Sequence, residues 1–169
     1  LSKGSFDRYM RSFDTLDART RELAGKAIAK IDDQMVDRLT DELHSLDPAR
    51  KLKALRIIEI TSKEKDIEPA LMELINDPDR KVRASVIKLV GLLGDVRAIK
   101  VLIGALSDPD RRTRANAVEA FEDIGNPRLN GLLVPFLKDP DNRVRANAAK
   151  ALWNLGVPET KEVIEEMLH

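Results

Sequence analysis

The side chains best suited to chemistry are basic residues that recur behind four Asp-Pro pairs, which begin at Asp47, Asp77, Asp108 and Asp139. When each aspartate is counted as offset 0, eleven of the twelve residues at offsets 3, 4 and 6 are Lys or Arg. Rows of such cations can bind carboxylates or phosphates. Aspartates fill seven of the eight positions at offsets 0 and 2. We therefore expect a solvated edge of mixed charge; the alternative is an electrostatic stripe for an acidic partner or a nucleic-acid backbone.

Catalytic chemistry has little support in the residue types. The chain has no Cys, and its two histidines are His44 and His169. Thiolate sites are thereby excluded, and a histidine-rich metal or catalytic centre is hard to assemble. The sequence has no Gly-rich phosphate loop and no Ser, His and Asp constellation with helpful spacing. It predicts no catalytic residue, no metal site and no cofactor, and hence that the protein is not an enzyme.

Composition narrows the class of protein further. The 169 residues include 29 basic and 29 acidic side chains, and 43% are apolar. Balanced charge with this apolar content excludes disorder by charge excess and disfavours non-specific nucleic-acid binding. No apolar run approaches the length of a membrane helix, and the first residues lack the apolar core of a signal peptide. We expect a cytoplasmic protein with no membrane partner.

An internal repeat dominates the sequence. The Asp-Pro pairs are 30, 31 and 31 residues apart, and Gly94, Gly125 and Gly156 each follow 17 residues after an Asp-Pro aspartate. Asp before Pro predicts a helix start, and glycine predicts the helix end. A second short helix fits between each glycine and the next Asp-Pro pair. The predicted helices span residues 6–14, 19–30, 34–45, 48–61, 67–76, 79–93, 96–106, 110–124, 128–138, 141–155 and 159–168.

The repeated strings resemble a known family. Asp-Pro-Asp, Val-Arg-Ala and Leu-Gly or Ile-Gly at fixed offsets are similar to short HEAT repeats of the bacterial and archaeal kind, also called phycobilisome-lyase-type HEAT-like repeats. The resemblance covers residues 47–168 and is weak before them. It implies an all-α, right-handed α-solenoid of about five two-helix repeats, whose second helices line a concave, protein-binding face. We expect residues 1–46 to be degenerate cap helices and 47–169 to be regular repeats ending in an unpaired helix, in one array that belongs to a larger protein.

A helical projection of the second helices separates core from surface. Offsets 5, 9, 12, 13 and 16 form an apolar face, and offsets 4, 8, 11 and 15 form a solvent face that changes from copy to copy. Leu55 and Ile58 could extend that face as an apolar docking patch, or the first helices could cover them. The candidate partner-binding residues are Leu55, Ile58, Lys81, Lys88, Leu92, Arg112, Asn116, Glu119, Arg143, Asn147 and Lys150.

Two residue types have competing interpretations. Offset 6 holds Lys53, Arg83, Arg114 and Arg145, which could form a basic ladder. We favour buried stems whose charged groups pair with a turn aspartate of the same or a neighbouring repeat. Trp153 could anchor an interface, but we favour packing against the last helix.

The function that these observations favour is a non-catalytic scaffold that binds a protein partner, of a kind the sequence does not identify, on the concave face of the solenoid. Two alternatives stay open. One is a nucleic-acid-binding array that uses the basic edge, and the other is an accessory lyase-type protein.

Overall fold

The structure is a computed structural model that describes residues 4–157 and 160. Two short segments, Pro127–Leu132 and Val134–Lys138, are 3₁₀ helices, and no strand occurs among the described residues. The longer helices α2, α4, α6, α8 and α9 alternate with shorter helical segments, as the two-helix repeat predicts. The α-helices are α1 (Ser5–Ser12), α2 (Ala18–Ile31), α3 (Met35–Leu43), α4 (Pro48–Thr61), α5 (Glu68–Glu73), α6 (Arg80–Leu93), α7 (Val96–Ala105), α8 (Arg111–Ile124) and α9 (Asn142–Asn154).

The chain divides into two compact units, Leu1–Glu73 and Leu74–His169. The sequence prediction divides the chain by repeat regularity after residue 46, whereas compactness divides it between α5 and α6. The predicted terminal helix over 159–168 lies outside the described residues. In the part of the chain that is described, no helix has both the length and the apolar character needed to cross a bilayer.

The helix starts differ from the prediction in an informative way. Of the four helices that follow Asp-Pro pairs, α4 is capped by the first aspartate as expected, with Asp47 accepting the Ala49 N–H at 2.8 Å and Pro48 in the first turn. In α6, α8 and α9 the N-cap is the second aspartate of Asp-Pro-Asp, namely Asp79, Asp110 or Asp141. Where offset 2 is an aspartate, that residue caps the helix and leaves the first aspartate available for other contacts, whereas in the first copy offset 2 is Ala49 and Asp47 caps.

The helix ends follow the glycines. Gly94 and Gly125 terminate α6 and α8 with φ of 67° and 62°, a left-handed conformation that glycine adopts without strain. In α4, which lacks the glycine, Ser62 takes the same role at φ 53°. The repeat therefore keeps its helix length even where its stop signal is absent.

The helix predicted over residues 128–138 does not form as one α-helix. The structure has the two 3₁₀ segments there, joined at Leu133. Pro135 lacks a backbone N–H and clashes with the preceding turn of an α-helix, and Gly131 weakens helix formation further. The helix predicted over residues 67–76 is also too long, since the observed α5 ends at Glu73.

In the first unit, α2 and α3 both pack against α4, and α1 packs against α2. Leu55 is only 2% exposed and Ile58 is fully buried, so the expectation that they form a docking patch is wrong. The alternative interpretation, in which neighbouring helices cover them, agrees with this burial. Their side chains belong to the core because exposure depends on the helix that packs across them, which the repeat offset does not encode.

In the second unit, α6 packs against α8 and α8 packs against α9. Helix α7 packs against both α6 and α8. The core is continuous through the three second helices and includes Ile87, Val118, Phe121 and Leu152. Gly91 lets α6 approach α8 closely, since a Cβ at this position would lie 2.6 Å from the Ala120 Cβ. The second unit thus holds three consecutive second helices in direct contact.

Candidate partner-binding surface

Partly buried ion pairs connect consecutive repeats of the second unit. The Arg83 guanidinium donates to Asp108 through Nε at 3.0 Å and Nη2 at 3.2 Å. One repeat later, Arg114 donates to Asp139 through Nε at 2.8 Å and Nη2 at 2.9 Å. Both arginines sit at offset 6, and both aspartates are the offset-0 residue of the next copy. The preferred sequence interpretation, a buried stem paired with a turn aspartate, is correct at these positions.

Each of these arginines also holds its own turn. Nη1 of Arg114 donates to the carbonyl oxygens of Asp108 and Pro109 at 2.9 and 3.1 Å, and Arg83 makes the equivalent pair of bonds. Arg145 donates through Nη1 to the Asp139 carbonyl at 2.8 Å and through Nη2 to the Asn142 side chain. One side chain therefore closes its own Asp-Pro turn and, at Arg83 and Arg114, binds the next one.

The contacts of Asp139 lower the pKa of its carboxyl group. Burial by itself would raise the Asp139 pKa, but hydrogen bonds from Arg114 and the Asp141 N–H, together with the Arg114 charge, hold the pKa below its usual range. The hydrogen bond to Asp139 likewise raises the pKa of Arg114 despite its partial burial. The pair is ionised at neutral pH and acts as a structural connection.

Asn116 and Asn147, predicted as partner-binding residues, contact the preceding second helix. Asn116 Nδ2 donates to the Ala84 carbonyl at 2.7 Å, and Asn147 Nδ2 donates to the Ala115 carbonyl at 3.3 Å. Both side chains are half-buried. Their amide N–H groups connect helices, which the projection of a single helix could not indicate.

The other predicted residues of the second unit lie at the surface. Leu92 is 48% exposed, which is a large fraction for an aliphatic side chain. Lys150 reaches back to Glu122 on α8 with Nζ 3.2 Å from Oε1, beside the Asn154 side chain, which donates to the same oxygen. The structure therefore retains the following candidates as exposed: Lys81, Lys88, Leu92, Arg112, Glu119, Arg143 and Lys150. We call these seven residues the second-helix surface.

The structure contains a cleft at one end of this surface that the sequence did not predict. It has a volume of about 560 Å³ and lies where α8 and α9 begin. Asp141 receives a hydrogen bond from Arg111 Nη1 at 3.0 Å, which connects the two helix starts. The lining residues are Arg111, Arg112, Pro140, Asp141, Asn142 and Arg143. The basic residues at offsets 3 and 4 were the signal that pointed to it.

Nothing in the described ranges resembles a metal centre. No three His, Cys, Asp or Glu side chains of residues 4–157 and 160 come together in an arrangement that could hold an ion. His44 contacts Glu73, with Nε2 3.1 Å from Oε2. Trp153 is 57% exposed on α9. Its predicted packing partner, the last helix, lies outside the described residues.

Comparison with known proteins identifies the family. HEAT repeats match over residues 36–121 and 99–169, which together exceed half of the chain, so the chain belongs to the HEAT repeat family. No curated protein matches it. Within the solved structures it is similar to the complex of CpcE and CpcF of phycocyanin lyase from Nostoc sp. PCC7120, with a TM-score of 0.67 and 22% identity over 96% of this chain and 70% of that chain.

Other similar structures extend the same fold class. Cex1p has a TM-score of 0.60 and 18% identity, with 98% of this chain and 36% of that chain covered. A designed armadillo repeat protein in complex with peptide (KR)4 has a TM-score of 0.54 and 18% identity, with 94% and 86% covered. At these identities the likeness establishes the fold, an all-α repeat protein of the HEAT and armadillo solenoid class.

Proposed function

We propose that the chain is a non-catalytic scaffold that binds a protein partner on the second-helix surface. In this proposal the surface binds the partner without catalysing a reaction. It assigns the buried positions of each repeat to holding the array together, and the exposed positions of α6, α8 and α9 to recognition. HEAT family membership supports this class of function, since stacked helical repeats offer extended surfaces to other proteins.

One observation carries the proposal: structural and exposed positions are segregated along each second helix. The residues at offsets 0 and 6 connect neighbouring turns, and the asparagines at offset 8 connect neighbouring helices. The exposed residues at offsets 4 and 11 differ between copies, with Lys88, Glu119 and Lys150 at offset 11. A varying surface on a uniform frame is the arrangement expected for specific recognition.

The frame also favours binding energetically. Ordering side chains and loops during association opposes binding, and a surface that is already held in place loses less conformational freedom. The Arg83–Asp108 and Arg114–Asp139 pairs hold successive helix starts, and the Gly91–Ala120 approach holds α6 close to α8. A partner would therefore meet a preformed row of side chains.

The test is affinity capture from a lysate of the source organism with three immobilised proteins. They are the parent chain, a face variant with Glu119→Arg and Lys150→Glu, and a control variant with Arg128→Glu and Lys138→Glu. The control residues are exposed and belong to the 3₁₀ segments, outside the second helices. Circular dichroism checks that each variant is folded.

We expect mass spectrometry to find a protein that the parent and the control retain and the face variant loses. A second face variant, Leu92→Gln, removes an exposed apolar contact and should weaken the same capture. Equal recovery of the same proteins by all four chains would refute the proposed surface. Recovery of nucleic acid in place of a protein would refute the proposed class of partner.

A further inference from the structure

The cleft between the starts of α8 and α9 contains two arginines, Arg112 and Arg143, that form no ion pair with the described residues. Arg111 pairs with Asp141, and Asp141 also caps α9 by accepting the N–H groups of Arg143 and Val144. Arg112 and Arg143 are exposed, and neither forms an ion pair within the described part of the chain. Two guanidinium groups in one cleft are therefore available to an external anion.

The neighbouring aspartates form no ion pair with Arg112 or Arg143 in the described part of the chain, because each is oriented by another contact. Asp108 and Asp139 bind Arg83 and Arg114. Asp110 accepts the N–H groups of the first turn of α8. The alternating charge that the sequence shows at this edge thus separates in three dimensions, with the aspartates directed into turns and caps and the offset-4 cations left at the surface.

The offset-4 cations also repeat along the unit. Lys81, Arg112 and Arg143 are 31 residues apart and lie in the first turns of three helices that pack directly on one another, α6 on α8 and α8 on α9. Packed helix axes are about 8–10 Å apart. From this spacing we expect the three equivalent positions to form a row of cations with a step of about 9 Å.

An extended peptide matches this step. A polyproline II chain advances about 3.1 Å per residue, so every third residue recurs after about 9 Å. We infer that the second-helix surface binds an extended acidic peptide segment whose carboxylates, spaced at every third residue, pair with Lys81, Arg112 and Arg143. The inference rests on the proposed function and specifies the chemistry of its partner.

A protein segment fits the cleft better than a nucleic-acid backbone. Asp141 lines the same cleft as Arg112 and Arg143, so the cleft favours a ligand whose negative charges are separated over one with a charge on every unit, such as a phosphate backbone. A peptide alternates carboxylates with neutral residues and carries backbone N–H donors that a carboxylate accepts.

The test uses fluorescein-labelled synthetic peptides and fluorescence anisotropy. One peptide has four Glu-Pro-Pro triplets, which place a carboxylate at every third residue of an extended chain. The second has the same composition with its four glutamates consecutive. The binding proteins are the parent, a cleft variant with Arg112→Gln and Arg143→Gln, and a charge-matched control with Arg128→Gln and Lys138→Gln.

We expect the parent to bind the triplet peptide at least fivefold more tightly than the clustered peptide. The cleft variant should lose at least tenfold in affinity for the triplet peptide, and the control should stay within twofold of the parent. Added salt should weaken binding of the triplet peptide to the parent. Circular dichroism of the cleft variant should match that of the parent, since both substituted side chains are exposed.

Three outcomes would overturn the inference. They are equal affinity of the parent for the two peptides, equal losses in the cleft and control variants, and stronger binding of a single-stranded oligothymidylate that depends on Arg112 and Arg143. The first two would leave the proposed scaffold function standing wherever the Glu119 and Lys150 variant still loses its captured protein. If that capture is also unchanged, the proposed function fails independently.

Discussion

Removing the Arg114 guanidinium should cost far more stability than removing an exposed arginine one turn away. Arg114 is 13% exposed and Asp139 is 5% exposed, and two charge-assisted hydrogen bonds of 2.8 and 2.9 Å join them. Arg114→Met leaves the Asp139 carboxylate buried with only the Asp141 N–H as a donor. Breaking a buried pair in this way costs about 3–5 kcal/mol.

The hydrogen bonds from Arg114 to backbone carbonyl oxygens make the opposite substitution, at Asp139, less costly in stability. Asp139→Asn leaves the guanidinium bonded to the carbonyl oxygens of Asp108 and Pro109, so we expect a smaller loss of about 1–3 kcal/mol. The double variant removes both charges at once and should lose less than the sum of the single variants, with a coupling of about 1–3 kcal/mol. Arg111→Met, which breaks an exposed pair with Asp141, should cost less than about 1 kcal/mol.

Urea unfolding followed by two signals measures these differences. Far-ultraviolet circular dichroism reports all helices, and the fluorescence of Trp153, the single tryptophan, reports α9 in the unit that contains the pair. A loss for Arg114→Met that is no larger than the loss for Arg111→Met would refute the argument. Strict additivity in the double-variant cycle would also show that the two side chains do not act as a pair.

The pH dependence provides an independent check on the same pair. The Asp139 pKa is lowered in the folded protein, so its contribution to stability is complete above the unfolded aspartate pKa of about 3.9. That contribution is lost as the pH falls through the lower, folded value. We therefore expect the stability of the parent to decrease below about pH 4 more steeply than that of Asp139→Asn. Parallel curves for the two proteins would contradict the assignment.

Two further substitutions test packing. Thr113 is 1% exposed, and its Oγ1 has no hydrogen-bond partner. Val82 occupies the same offset in α6. Thr113→Val should therefore raise the free energy of unfolding, measured in urea titrations, by about 1–3 kcal/mol. An unchanged or lower value would mean that the hydroxyl is satisfied in solution. Gly91→Ala should destabilise by about 1–3 kcal/mol because its Cβ would meet Ala120. The matched control Gly104→Ala, with no atom within 4 Å of the added Cβ, should gain up to about 1 kcal/mol from helix propensity in thermal melts.

Local signals made much of the fold predictable. The 31-residue period, the Asp-Pro starts and the glycine stops located α4, α6, α7, α8 and α9 to within two residues at each end. The buried role of Arg83 and Arg114 was also predictable, since a long cationic stem on an apolar sector must bring its charge to an anion, and the period supplies an aspartate in the next repeat.

Several features of the site were beyond the reach of a single-helix projection. Leu55 and Ile58 lie at offsets that are polar in later copies, yet they are buried among the neighbouring helices of the first unit. Asn116 and Asn147 fall on the solvent side of their own helix, yet they donate to the second helix of the preceding repeat. The segment after α8 kept its place in the repeat but lost its α-helical geometry at Pro135.

The sequence by itself therefore determined the repeat, the class of fold, the limits of α4, α6, α7, α8 and α9 to within two residues, and the pairing of Arg83 and Arg114 with turn aspartates. Each of these depends on backbone chemistry or on the repeat period, which is local information in the sequence. Only the tertiary structure decided which surface positions face solvent and which charges stay unpaired. Exposure and pairing depend on neighbours that lie about 30 residues away in the chain, and their distances, such as the 3.0 Å from Arg111 to Asp141, arise when the helices pack.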